Sequence, residues 1–221
     1  MRFASDASDE TSPIPSRLTD SHVGVLRWQD ERAVAALLAR AFVDDPLVMA
    51  ICDTPRAERR RRMAWGFRVA VRAHCLARQP AWTIENRDAT PLGIALVTRQ
   101  QAAEHLPPAS DSLFALRGFW HVGLRAAFRG IQAAQTIAAH LPLEPFTYLR
   151  TLGVEPVWHR QGVGSQLVEQ VISAARQSLP IYLETAKERN LSFYSGHGFD
   201  CIGTFDCLDV RIWRLWRAPR E

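Results

Sequence analysis

VEPVWHRQGVGSQLV, residues 154–168, is the stretch on which the reading of this chain turns. An apolar segment, TYLRTLGV (147–154), ends where it begins. A short loop follows, and Gly162-Val163-Gly164 opens SQLVEQVISAARQS (165–178), with Leu167, Val168, Val171, Ile172 and Ala175 at helical spacing. The order is therefore strand, glycine turn, helix. The first turn of a helix carries unpaired backbone N–H groups and a partial positive charge. Glycines let a phosphate approach those groups with no Cβ in the way, so the turn suits a pyrophosphate. It equally suits a plain strand-to-helix turn whose backbone angles need glycine. The third glycine of GxGxxG and the Gly-Lys-Ser/Thr of a P-loop are both absent from it.

Outward from the turn, Pro180 closes the helix, IYLET (181–185) reads as the next strand, a short helix covers Asn190 to Ser195, and CIGTF (201–205) and VRIWRLW (210–216) read as two final strands. Strand, helix, strand in the middle implies a crossover between parallel strands. Upstream, HVGVLRW (22–28) alternates like a short strand, and ERAVAALLARAF (31–42) repeats apolar residues on one helical face. Pro46 and Pro55 read as breakers in 41–55. Glu58 to Leu76 is helical, its Arg59–Arg62 run a solvated face rather than a phosphate patch. WTIEN and LGIALV form a hairpin. Ser112 to Leu141 reads as a long helical insert roofing the active-site side, and Pro142 and Pro145 end it. Residues 1–20 are expected to be a disordered tail and 21–221 a single domain.

Composition narrows the class. Of 221 residues, 47% are apolar and 23% charged, ordinary for a globular chain. The net charge of +4 comes almost wholly from arginine, since Lys187 is the only lysine. No interleaved aromatic platform or helix-turn-helix pattern accompanies that charge, so no nucleic-acid partner is expected. Cys52, Cys75, Cys201 and Cys207 form no CxxC pair and no His cluster joins them; they read as reduced, mostly buried thiols, with no metal site. No apolar run approaches the ~18 residues of a membrane span, and no signal-peptide core is present. A cytoplasmic protein without membrane contact is expected.

The central stretch resembles motif A of the GNAT superfamily of N-acetyltransferases, with Val154, Pro156, His159, Gly162 and Gly164 in the motif's positions. His159 departs from the glutamine or arginine usual there. Downstream, LETAKERNLSFYSGHGF (183–199) resembles the family's second signature through Glu184, Asn190, Phe193, Tyr194, Gly198 and Phe199. Within the superfamily the chain looks most like the branch containing puromycin N-acetyltransferase, by AFVDDP after the first helix, the insert before TYLRTLGVEP, and the LET…RNLSFY run.

The resemblance implies an α/β fold with a mixed sheet, and acetyl-CoA as co-substrate without a metal. The cofactor is expected between strands 148–154 and 181–185, which splay apart in this fold. Leu152, Gly153 and Val154 would pair with the pantetheine arm through their backbone, and the Val154 N–H would polarise the thioester carbonyl. The turn through His159, Arg160, Gln161, Gly162, Val163, Gly164 and Ser165 would hold the pyrophosphate, and the Asn190 side chain would hydrogen-bond the cofactor. Tyr194 is the expected general acid. The base stays open between Glu184 beside the splay, Asp44 and Asp45 in the loop after the first helix, and an ordered water chain; His121 reads as a surface residue. The expected acceptor is a primary amine of a small molecule. A protein lysine or N-terminus, and a non-catalytic acetyl-CoA sensor, are the competing readings; the oligomeric state, a homodimer included, stays open.

Overall fold

The computed structural model describes residues 21–100, 121–175 and 179–219; the expected N-terminal tail and the first part of the insert lie outside them. Seven strands form one mixed sheet in the order β1-β2-β3-β4-β5-β7-β6: β1 (His22–Val25), β2 (Ala81–Glu85), β3 (Pro91–Gln100), β4 (Phe146–Val154), β5 (Ile181–Thr185), β6 (Asp200–Cys207) and β7 (Val210–Arg217). All neighbours are antiparallel except β4 and β5. The parallel pair with a helix between its strands is the crossover expected from the sequence.

Among the described residues six α-helices flank the sheet: α1 (Glu31–Ala41), α2 (Pro46–Ile51), α3 (Arg56–Leu76), α4 (Leu124–Ala139), α5 (Val163–Ala174) and α6 (Leu191–Ser195). Side-chain alternation sorts them by face. On the first face Val34, Leu37 and Leu38 of α1 and Val71 of α3 pack on Ala81, Ile94 and Leu96. Farther along that face, Ala133 of α4 and Leu47 and Ile51 of α2 meet Phe205, Cys207 and Ile212. On the second face Val163, Leu167, Val168 and Val171 of α5 and Tyr194 of α6 pack on Ile84, Leu149, Ile181, Leu183 and Leu215. Aliphatic burial at about 25 cal/mol per Å2 is what holds both layers to the sheet.

Three expectations are corrected. Pro46 does not break the chain but starts α2: the Asp45 side chain accepts hydrogen bonds from the N–H groups of Leu47 and Val48, and Pro46 fills the first helical position, where no intrahelical donor is needed. The insert is not one continuous helix either. Gly123 sits at φ 91°, a conformation glycine adopts freely, and α4 starts after it. Residues 112–120 of that expected helix lie outside the described residues. The arginine run is only partly a solvated face. Arg59 is buried, donating to the carbonyl oxygens of Val43 (2.7 Å) and Thr54 (3.0 Å), so it ties the loop before α2 to the loop after it. Of the cysteines, Cys52 and Cys207 are buried, Cys75 is intermediate and Cys201 exposed, all free thiols.

Candidate active site

Strands β4 and β5 pair only through Thr147 with Ile181 and Tyr148 with Tyr182. Beyond Tyr148, β4 runs on to Val154 with no partner on that side, so the sheet opens in its middle. A bulge contributes to the opening. On the β3 side Leu96 faces Thr151 while Val97 faces Leu149, leaving Arg150 as an extra residue. The bulge also resets the alternation. Leu149 and Leu152 both turn to the second face, and Gly153 turns to the first, where a Cβ would lie 2.5 Å from Leu38 Cδ2. Close packing against α1 therefore requires glycine at 153.

The β4 end leads through Pro156 and a single helical turn into a tight loop. Arg160 has φ 60° and Gly162 φ 87°, so the loop folds back on itself before α5 begins. A His159 ring nitrogen lies 3.0 Å from the Val154 carbonyl oxygen, and the Gln161 side-chain amide donates to the Val157 carbonyl oxygen at 2.8 Å. Both side chains thus brace the loop, which explains how histidine serves at 159. The two glycines differ. Gly162 needs its left-handed conformation; Gly164 is ordinarily helical, and a Cβ there would meet only Phe193 Cζ at 3.4 Å and Val154 Cγ2 at 3.7 Å. These contacts bring the β4 end, the N-terminus of α5 and the start of α6 together, so the two separated sequence signatures share one corner of the fold. Among the described residues, the N–H groups from Gly162 to Ser165 donate to no protein acceptor, as expected for a first helical turn.

Glu184 occupies the opening from the first face. Alternation puts Tyr182 and Glu184 of β5 on that face, beside their β7 partners Trp216 and Arg214. The Tyr148 hydroxyl donates to Glu184 Oε2 at 2.6 Å, whereas Glu184 Oε1 is shut off from solvent and has no hydrogen-bond partner. Burial pushes the Glu184 carboxyl up to about 7; the Tyr148 and Tyr182 hydroxyls and the Arg150 and Arg214 guanidinium groups pull it part of the way back. Burial also raises Tyr148, well above the usual phenol, with the Glu184 charge adding to the effect. A second orphaned polar atom, Thr98 Oγ1, sits on the same face, since Thr98 pairs across the sheet with Tyr148. Buried polar groups are nearly always satisfied, so two orphans flanking one tyrosine mark this spot.

Tyr194 approaches from the second face. It is buried among Phe193, Phe199 and the α5 side chains, and burial raises its phenol above the ordinary value. Asn190 donates from its amide to Thr185 Oγ1 at 3.0 Å, fixing the entry to α6 at the end of β5. The other carboxylates are committed elsewhere. Asp44 is held below the usual carboxylate range by its hydrogen bonds from Arg56. Asp45 caps α2 and lies 3.4 Å from Lys187 Nζ. The His121 ring stacks on Trp65 with centroids 4.0 Å apart. Trp213 and Trp216 are half-buried against the two cores rather than displayed. No group of three or more His, Cys, Asp or Glu among the described residues is placed to hold a metal, and none of the described helices is long and apolar enough to cross a membrane.

Residues 118–201 match the family model of the acetyltransferase (GNAT) domain. The chain is similar in fold to the histone acetyltransferase HPA2 and related acetyltransferase from Corynebacterium glutamicum, at 21% identity and TM-score 0.68, over 91% of this chain and 98% of that one. It is similar to arylalkylamine N-acetyltransferase 2 from Aedes aegypti, at 11% identity and TM-score 0.59, over 91% and 100%. An N-acetyltransferase from Staphylococcus aureus aligns over 91% and 100% at 14% identity and TM-score 0.52. At these identities the likeness to solved structures is one of fold.

Proposed function

We propose that this chain, whose residues 118–201 match the acetyltransferase (GNAT) domain model, is an acetyl-CoA-dependent acyltransferase that acetylates a primary amine of a small molecule by direct attack, with Glu184 as base and Tyr194 as acid. Acetyl-CoA supplies the thioester. The unpaired N–H groups from Gly162 to Ser165 and the room at Gly164 suit its diphosphate, and the unpartnered edge of β4 from Leu152 to Val154 suits its pantetheine arm. The turn of His159, Arg160 and Gln161 shapes the diphosphate seat through its braces to Val154 and Val157. Asn190, at the start of α6, has its carbonyl oxygen left for the cofactor once its amide is on Thr185.

One observation carries the reading: the Glu184 carboxyl lies at the sheet opening, partly buried, with one oxygen closed to solvent and unpartnered and a proton affinity near neutrality. An ammonium must lose a proton before its nitrogen can attack. A base that titrates at about 7 is matched to that task at neutral pH, whereas Asp44, held low by Arg56, is too weak. Glu184 takes the proton, through water where the carboxyl lies too deep for contact. The Val154 N–H takes up the charge growing on the thioester oxygen, a donor worth about 3 kcal/mol of barrier. Tyr194, which its burial keeps protonated, hands a proton to the departing thiolate from the opposite face. Base and acid thus work from the two sides of one gap, and neither can quench the other.

The partly buried Glu184, whose Oε1 is closed to solvent, suits a small acceptor better than a protein lysine, which needs an open groove. The resemblance to the puromycin N-acetyltransferase branch points the same way. The test is titration calorimetry with acetyl-CoA, followed by CoA release with small amines and with lysine peptides. Amine-dependent release is expected with the small amines. Release with peptides alone would overturn the small-acceptor reading.

A further inference from the structure

Two guanidinium groups flank the Glu184 carboxyl on the first face of the sheet, close enough to act on its charge, and among the described residues neither is held in an ion pair. Arg214 sits beside Glu184 in register; its Nε donates to the Tyr182 hydroxyl at 3.3 Å, and its guanidinium carbon lies 6.0 Å from the Tyr182 ring centroid. Arg150 comes from the opposite side, on the β4 bulge, with its guanidinium carbon 5.8 Å from the Tyr148 ring centroid. Among the described residues no carboxylate comes within 4.0 Å of either. The contrast with the rest of this face is sharp: Arg40 is bidentate on Glu155, Arg56 on Asp44, and Lys187 pairs with Asp45. Arginine is the side chain suited to planar recognition of carboxylate or phosphate. Beside a base the two positive charges favour the ionised carboxyl, but in a site meant only for a cationic amine they would also repel the ammonium.

We infer that the acceptor carries an anionic group, a carboxylate or a phosphate, near its amine, and that Arg150 and Arg214 bind that group while the amine faces Glu184. The acceptor is then a zwitterion of the amino-acid or amino-phosphate kind. This rests on the small-acceptor reading above. The arginines make the arrangement work in two ways. They draw in the anion, and an amine seated against their positive field loses its proton more readily. The orphaned Thr98 Oγ1 and Glu184 Oε1 offer hydrogen-bonding positions inside the same enclosure.

The experiment is CoA release from acetyl-CoA with a panel of α-, β- and γ-amino acids and an aminoalkyl phosphate, each beside its neutral counterpart: the methyl ester, the amide or the parent amino alcohol. An acid is expected to exceed its neutral counterpart in kcat/KM by at least about 10-fold, the effect of a hydrogen bond to a charged group. Amino acids and the aminoalkyl phosphate tell the two anions apart. Arg150→Gln, at an exposed position where folding is safe, and Arg214→Gln are each expected to raise the KM of the acid about 10-fold or more, with the KM of acetyl-CoA unchanged and the KM of the neutral counterpart moving much less than that of the acid. Esters or amides used as well as the acids would overturn the inference and leave the small-acceptor reading standing. Release with no small amine at all, by a protein that still binds acetyl-CoA, would overturn both.

Discussion

Glu184→Gln separates a buried, functional carboxyl from an ordinary one. Glutamine has nearly the same shape and can still accept from the Tyr148 hydroxyl, so packing is kept and only the ionisation is lost. In the folded chain the carboxyl titrates at about 7 against an ordinary 4.5. One pH unit of difference is about 1.4 kcal/mol, so holding Glu184 ionised costs the folded state about 3 kcal/mol. The sign follows from the direction. A folded pKa above the unfolded one gives stability that is whole below about 4.5 and is lost as the pH rises through 7. From about pH 5 to about pH 8 this one group should remove about 2 to 3 kcal/mol from the wild type and nothing from the variant. Urea denaturation of both proteins at the two pH values measures that difference, with all other titrating groups, the buried His74 included, common to the pair. The same variant should lose at least about 100-fold in kcat/KM, while the wild-type rate rises with pH and levels near 7. An identical change in stability with pH in both proteins would refute the claim that Glu184 is buried and raised, and the assignment of the base would fall with it.

Tyr194→Phe should keep acetyl-CoA affinity and lower turnover about 10-fold or more; unchanged turnover in a rapid-mixing assay would take the phenol out of the mechanism. Gly164→Glu should abolish acetyl-CoA binding by calorimetry with little change in melting temperature, because a Cβ fits at that helical position while a carboxylate would crowd the diphosphate. Gly153→Ala should do the reverse, destabilising the fold by about 1 to 3 kcal/mol in denaturant because its Cβ would overlap Leu38 Cδ2. Asp45→Ala removes a helix cap and the partner of Lys187, and should cost about 1 kcal/mol by the same measurement.

The glycine turn, the two signatures and the parallel crossover could be read from the sequence because each is local: the phosphate-type turn needs its glycines within three residues, and α5 declares itself by its own apolar repeat. The surroundings of Glu184 could not. Tyr148 lies 36 residues from it in the chain and Arg214 30 residues beyond; only the strand register makes them neighbours. Arg150 and Thr98 carry no pattern of their own, and their significance comes from a bulge and from an unpaired atom. A signal for α2 was available in Asp45-Pro46, a capping residue followed by a residue suited to the first helical position, but proline read alone looks like an interruption. Gly123 was open to the opposite reading, a helix interior, until its φ of 91° fixed it as a break.

The extra residue at 150 makes the second half of β4 a matter of parity. Closing the bulge with every residue kept, so that Arg150 entered the ladder, would exchange the sides of every residue from Thr151 to Val154. Leu152 and Val154 would then press into the space that α1 leaves only for Gly153, and the corner shared by Val154, Gly164 and Phe193 would lose its wall. Removing residue 150 itself would instead leave Leu149 and Thr151 as neighbours in an unbroken ladder with all those sides kept, so shortening the chain by this one codon should disturb the packing less than its place in a central strand suggests.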